Sequence, residues 1–428
     1  MKTYQYENEE QLKKALQRPS YNHDKIEKIV KPILEKVSRG GDKALKKFAL
    51  EYDHVELEDL WVSEEEIRLA ERKVDKSLKK SIDVAYRNIW KFHNAQKTPD
   101  LEMTVMPGVK CSRKSVPIQK VGLYIPGGTA PLFSTVLMLG IPAIIAGCND
   151  VIMTSPTNKL GKINPVVLYT ANLVGIKRIL KLGGAQAIAA LAYGTESVPG
   201  VDKIFGPGNQ YVTVAKQLVA RDTVSIDMPA GPSEVMVVVD DSANTSFAAA
   251  DLLSQAEHGV DSQVVLVCTS KEKSNEIQDE VKSQLKKLSR KDIARESLEQ
   301  SATVIVKDER EMINVINQYA PEHLIVNTEN AEKIVKKVVN AGSVFIGPYT
   351  PESAGDYASG TNHTLPTNGW ATSYSGVSLD SFLKKITYQK ISAKGIRKLG
   401  PSIEEMAEAE QLGAHKNAVT VRLNELNK

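Results

Sequence analysis

Apolar positions recur at helical spacing through the first hundred residues of the chain. Ser63-Glu64-Glu65-Glu66 reads as a capping box, in which a hydroxyl and a carboxylate three residues apart satisfy each other's backbone amides. From it the series Ile67, Ala70, Val74, Leu78, Ile82, Ala85 and Ile89 predicts one long amphipathic helix reaching about His93. After Lys120 the pattern changes to short apolar runs alternating with helical stretches. Strands are predicted at 121–125, 151–153, 177–180 and 203–205, and helices at 133–146, 165–174, 185–192 and 210–220. A second series has strands at 235–239, 263–267, 302–306 and 343–346, with helices at 245–256, 271–288 and 309–318. Strand and helix alternating in this way predict βαβ units and two largely parallel sheets. The segment 402–426 reads as a helix, a break at Gly413, and a second helix.

The length of 428 residues is enough for two or three domains. Lys plus Arg is 55 against 52 for Asp plus Glu, a net charge of +3, so no nucleic-acid partner is expected. Cys111, Cys148 and Cys268 are far apart and form neither a CxxC pair nor a disulfide framework, as expected of a cytoplasmic protein. The opening residues lack the apolar stretch of a secretory signal. Val121 to Asn149 carries no charge, but Pro126, Gly127-Gly128, Pro131, Gly140, Pro142 and Gly147 interrupt it. A buried loop and short core helix are expected there, and no membrane partner.

Two glycine loops, Ile125-Pro-Gly-Gly-Thr129 and Gly206-Pro-Gly-Asn209, each follow a predicted strand and lead into a helix. Helix N-termini present free N–H groups, so such loops can hold phosphate, although ordinary βα turns look the same. Gln255 and His258 lie three apart on a predicted helix, hence on one face. Glu322-His323 sets a carboxylate beside an imidazole. Asp356 and His363 belong to a Gly/Ser/Asn-rich stretch of the kind that builds sites, and His415 follows Gly413. Imidazole, carboxylate and amide oxygen suit Zn²⁺, but these spacings match no zinc-finger pattern. His23, His54 and His93 stand in charged helical contexts and are given no role. From the residues alone the chain reads as a two-domain α/β enzyme with room for a metal and a phosphate-bearing cofactor.

Eight segments together resemble the histidinol dehydrogenase family. They are Val121-GLYIPGGTAPLFSTVLML, Leu182-GGAQAIAALAYGT, Asp202-KIFGPGNQYVTVAK, Ile226-DMPAGPSEV, Asp251-LLSQAEHG, Ala320-PEHL, Pro351-ESAGDYASGTNHTLPT and His415-KNAVT. Ser225 and Gly259 depart from the family's pattern outside its site residues. The resemblance implies two incomplete Rossmann-type domains, like those of aldehyde dehydrogenases, with helical N- and C-terminal extensions. The division it implies is 1–22, then 23–120 with 234–375, 121–233, and a tail at 376–428 that reaches the partner in a homodimer. It implies NAD-dependent oxidation of L-histidinol through L-histidinal to L-histidine, the last step of histidine biosynthesis, with one Zn²⁺ per subunit.

Carried over motif by motif, Gln255, His258, Asp356 and His415 are the implied metal ligands, and Glu322 and His323 the implied catalytic pair. Ser233, His363 and Glu410 match substrate-contacting positions, together with His323 and the four metal ligands. Tyr124, Gln186 and Asn209 match NAD-contacting ones. A dehydrogenase of another amino alcohol, or a zinc hydrolase using the same ligands, are the alternatives.

Overall fold

In the computed structural model, residues 1–19, 23–127 and 131–428 are described. Gly128 and Thr129 of the first glycine loop lie outside them. The chain opens with β1 (Lys2–Gln5) and α1 (Glu9–Ala15), then three helices, α2 (His23–Asp53), α3 (Glu64–Lys73) and α4 (Lys76–Asn94). A hairpin, β2 (Leu101–Met106) and β3 (Val109–Pro117), leads into the first α/β series. That series is β4 (Lys120–Tyr124), α5 (Phe133–Ala146), β5 (Asp150–Thr154), α6 (Pro165–Val174), β6 (Arg178–Leu180), α7 (Gly184–Tyr193), β7 (Lys203–Phe205), α8 (Gln210–Val219) and β8 (Ser225–Ile226). The second comprises β9 (Glu234–Val239), α9 (Thr245–Ala256), β10 (Gln263–Cys268), α10 (Lys271–Leu285), α11 (Lys291–Glu299), β11 (Ala302–Ile305), α12 (Glu309–Tyr319), β12 (His323–Asn327), α13 (Ala331–Val335), β13 (Ser343–Ile346) and α14 (Glu352–Tyr357). The chain ends with β14 (Leu383–Ile391), α15 (Ala393–Ala409) and α16 (Gly413–Leu426).

The first series forms a parallel sheet in the order β6-β5-β4-β7-β8, and the second a parallel sheet in the order β1-β11-β10-β9-β12-β13. Within each series the strands run third, second, first, fourth, fifth, the doubly wound order. Every residue of β9 and β10 is buried, as a parallel sheet covered on both faces requires. Alternation divides them. Val235, Val237 and Val239 join the core under α9 and α10, while Met236 and Val238 join the core on the α12 side. The uncharged stretch after Val121 contains the buried α5, and among the described residues no helix is long and apolar enough to cross a membrane.

Three sequence expectations need correction. The helix predicted through His93 is two helices, α3 and α4, because Val74 adopts an extended conformation and Asp75 starts the second. The Ser63–Glu66 capping box is present as read. Residues 23–120 do not pack as part of the 234–375 unit. Ile26, Val30, Val37 and Phe48 of α2 share a core with α7 and α8, and Ile67, Ile82 and Ile89 share one with α5 and α6, so these helices sandwich the first sheet. It is residues 1–16 that join the second unit, through β1 and the buried Leu12 and Leu16. The tail is not wholly helical, since β14 pairs antiparallel with β3 in a three-stranded sheet, β14-β3-β2.

Candidate active site

A cleft of about 320 Å³ lies between the two α/β units. One wall is formed where the carboxyl ends of β4 and β7 lead into Pro126–Gly127 and Pro207–Gly208, with Leu132, Ser134 and Thr135 at the start of α5. This is the point at which the strand order reverses, where doubly wound sheets bind their ligands. α5 has no side-chain cap; the Phe133 and Thr135 amides donate to the Pro131 and Leu132 carbonyls. Across the cleft the second sheet presents the amino ends of β9 and β12, with Ser233, Glu322 and His323, together with His258, Asp356, Tyr357 and His363.

His323 is held by its own strand neighbours. Its Nδ1 lies 3.1 Å from the Glu234 carbonyl oxygen, a contact that requires Nδ1 to donate. That leaves Nε2 buried with no hydrogen-bond partner, 3.5 Å from Asp356 Oδ1. Burial favours the neutral ring, but the carboxylates of Glu352, Glu322 and Asp356 outweigh it and hold the His323 pKa well above the ordinary value. Glu322 Oε2 accepts from the Glu234 N–H at 2.8 Å. The peptide groups on both sides of one residue, Glu234, therefore position both members of the pair.

His258, Glu352 and Asp356 bring one ligand atom each within 4.8 Å of one another. Gln255, fully buried at the end of α9, packs against the Glu352 carboxylate. In one orientation its amide donates to Glu352 and its oxygen accepts from the Glu234 N–H at 3.2 Å. Turned over, its oxygen faces the carboxylate, an arrangement only a shared cation makes favourable. One imidazole, two carboxylates and an amide oxygen around one point fit a divalent ion such as Zn²⁺. Burial raises the Glu352 pKa to about 8; His323 opposes this, and Asp356, Glu322 and Asp251 add to it. Burial would raise the Asp356 pKa, but the neighbouring His323 outweighs it and shifts Asp356 down. His363 accepts no charge easily because burial lowers its pKa. Its Nδ1 meets the Asp356 carbonyl at 2.9 Å and its Nε2 the Thr135 hydroxyl at 3.2 Å.

The three residues implied for NAD stand on the first unit. Tyr124 ends β4 with its hydroxyl accepting from the Gly184 N–H at 3.1 Å, and burial pushes its pKa up to about 12. Gln186 is buried on α7, 3.5 Å from the Asp53 carboxylate. Asn209 caps α8 through the amides of Tyr211 and Val212. The second glycine loop is fixed from beneath. Buried Lys216 donates to the Gly206 carbonyl at 2.7 Å and to Asp227 at 2.5 Å, and Asp227 accepts from the Gly206 N–H at 2.8 Å. Gly206 has a φ of +121°, and a Cβ there would run into the Tyr124 carbonyl oxygen, so only glycine serves.

Two expected site residues are not brought in. Glu410 and His415 are exposed on the α15–α16 hairpin and do not line the cleft. One residue was missed. Glu352 has the lowest exposure of the acidic group and sits four residues before Asp356 on α14, a spacing that places the two on one face.

A sequence model described as histidinol dehydrogenase matches residues 16–423. The chain is 57% identical over 426 residues to histidinol dehydrogenase of Bacteroides thetaiotaomicron, covering 100% of both sequences. It is 51% identical to the chloroplastic histidinol dehydrogenase of Arabidopsis thaliana, covering 100% of this chain and 92% of that one. The crystal structure of histidinol dehydrogenase from Elizabethkingia anophelis superposes with a TM-score of 0.97 at 52% identity, covering 100% of this chain and 99% of that one. A betaine aldehyde dehydrogenase from Staphylococcus aureus, solved with NAD⁺, shares the fold at a TM-score of 0.50 and 13% identity, over 87% of this chain and 83% of that one. With the doubly wound cleft and the His323 site already in place, this likeness over the whole length means that the chain belongs to the histidinol dehydrogenase family.

Proposed function

We propose that the protein oxidises L-histidinol through L-histidinal to L-histidine, with NAD as acceptor and one Zn²⁺ per subunit. The observation that carries the reading is the placement of His323. Its unpartnered Nε2 lies in a cleft with a dinucleotide-type switch point on one side and the His258–Glu352–Asp356 group on the other. Bound NAD would accept the hydride from the carbinol carbon. Bound Zn²⁺, held by His258, Asp356 and Gln255 with Glu352 beside them, would orient the substrate's nitrogen donors and offset the surrounding carboxylates.

His323 Nε2 takes the hydroxyl proton as the first hydride leaves, and the Glu234 carbonyl keeps Nδ1 protonated so that Nε2 is the basic nitrogen. The aldehyde has no second hydride to give until water adds to it. Glu322, on the same wall, takes a proton from that water as it adds, and the hydrate would then pass its hydride to a second NAD and release a hydroxyl proton to give the acid. The carboxylates around His323 favour its protonated form, so turnover rises with pH as the imidazole is freed. An assay of NADH formed per histidinol consumed tests the reading. Two NADH and one histidine are expected, and no NADH refutes it.

Homodimerisation with Glu410 and His415 entering the partner's cleft belongs to the same proposal. It is supported by the three-stranded sheet, whose faces both carry exposed apolar residues, Leu101 and Met103 on one and Ile386 and Tyr388 on the other. Such a sheet needs a covering surface. A cytoplasmic location is supported by the three free cysteines, two of them buried.

A further inference from the structure

Glu234 begins β9, and its carboxylate points away from the chemistry its peptide groups support. Arg18 grips that carboxylate with two bonds, Nε to Oε1 at 2.6 Å and Nη2 to Oε2 at 3.0 Å. The Asn368 N–H donates to the same carboxylate at 2.8 Å. The pair is nearly sequestered, with the Arg18 side chain 19% and the Glu234 side chain 3% exposed. Arg18 Nη2 also donates to the Tyr319 carbonyl at 2.6 Å, and the guanidinium lies 4.0 Å over the Tyr319 ring. Tyr319 ends α12, and its hydroxyl is tied to Gln263 Oε1 at 2.8 Å. The next residue, Ala320, has a left-handed backbone with φ of 51°, a conformation that a non-glycine residue holds only when its surroundings impose it. Pro321, Glu322 and His323 follow directly.

One guanidinium therefore fastens the start of β9 to the turn that delivers the catalytic pair. We infer that Arg18 is a positioning residue for Glu322 and His323, acting through Glu234. This rests on the catalytic assignment above. Bidentate pairing fixes the plane of the Glu234 carboxylate in a way a point charge cannot. Without it Glu234 is a buried carboxylate next to Glu322, and the two repel. A proton on Glu234 would remove the charge but not restore the clamp, so the first residue of β9 is left free to shift, and that movement would lengthen both the 2.8 Å bond to Glu322 and the 3.1 Å bond to His323. Displacement of a reacting group by about 1 Å costs about 100-fold in rate. Arg18 reaches the site from the N-terminal segment, outside all eight motifs that carry the family resemblance.

The test uses the zinc-loaded, full-length protein. Arg18→Ala should lower kcat for histidinol by about 10- to 100-fold, with KM and bound zinc unchanged. Added guanidinium ion should restore part of that loss in Arg18→Ala and nothing in the unaltered protein, and Arg18→Lys should fall between the two. A folded Arg18→Ala with full kcat overturns the inference. So does a loss that guanidinium does not reverse and that Arg18→Lys shares in full. If Arg18→Ala is insoluble, Arg18→Lys decides: lowered kcat at constant KM and zinc content supports the role, and unchanged kcat removes it. Absence of NADH from histidinol with the unaltered protein would instead defeat the assignment of function.

Discussion

Replacing Glu322 by Gln should separate the two oxidations. The Glu322 side chain is buried, one oxygen accepts the Glu234 N–H at 2.8 Å, and the residue lines the cleft. A glutamine keeps the shape and its amide oxygen can accept the same N–H, so the geometry of β12 and His323 stays in place. What is lost is a base and a charge. Loss of a general base typically costs about 10²–10⁴-fold, or about 2.7–5.5 kcal/mol of transition-state stabilisation, and this should fall on histidinal oxidation. The lost charge acts the other way on the first step. Glu322 is one of the carboxylates holding a proton on His323, so its neutralisation lets His323 act as a base at lower pH. Histidinol oxidation should then keep its rate on the alkaline side and gain on the acid side. The assay supplies histidinol and histidinal separately and compares kcat/KM for each between variant and parent. A second readout is NADH formed from histidinol without matching histidine. Equal losses on the two substrates would refute the division of labour while leaving the family membership untouched.

His258→Asn removes an imidazole of the metal-ligand group from an exposed position, so zinc content after gel filtration should fall while the unfolding midpoint of the metal-free protein stays in place. Full turnover in verified metal-free protein would exclude the metal's role. Co-folding His323→Ala with His415→Ala should restore partial activity, because a mixed dimer would hold one intact site; inactive, verified heterodimers would keep the tail within its own chain. Asp251 is raised by burial to a pKa of about 7, so the folded chain binds its proton more tightly than the unfolded one. Stability linked to it is present below the unfolded value near 4 and is lost as pH rises through about 7. Asp251→Asn should accordingly stabilise the protein against denaturant at pH 8 and leave it nearly unchanged at pH 4; an equal shift at both would exclude this cause.

Both parallel sheets were legible because their strands are buried on two faces, so Val235–Val239 and Gln263–Val267 stand out as apolar runs. Buried β12, His-Leu-Ile-Val-Asn, went unread because its apolar run is only three residues long, and the other strands that escaped notice have polar or mixed surfaces. β1 is Lys-Thr-Tyr-Gln at a sheet edge, and β14, Leu-Lys-Lys-Ile-Thr-Tyr-Gln-Lys-Ile, is exposed for most of its length. Val74 fits the helical apolar spacing, so the break after α3 left no trace in periodicity. In the site, His258, Glu322, His323 and Asp356 were accessible through local motifs. Glu352 was overlooked because an acid beside Pro351 reads as a solvated turn until α14 turns it inward. His93 carries no role in the sequence reading because of its charged helical context, yet it is fully buried, with Nδ1 2.9 Å from the Ile89 carbonyl and Nε2 3.3 Å from the Asn362 amide. No local signal joins Arg18 to Glu234, since 216 residues separate them and only the closed fold makes them neighbours.

The pairing of β1 with β11 sets a timetable for synthesis. Lys2 lies opposite Ala302, so β1 leaves the ribosome and waits for a partner about 300 residues later. At roughly 5–20 residues per second that wait lasts roughly 15–60 seconds. During it all five strands of the first sheet and helices α2 to α8 are made, whereas β1 has no strand edge to join. The first unit still lacks Val377, Leu379 and Phe382, which enter its core, with Phe382 stacked on Phe205, only after β11 has been made. The clamp on Glu234 is completed only when Asn368 has been made, so a chain ending before it leaves the residue that orients Glu322 and His323 incompletely held.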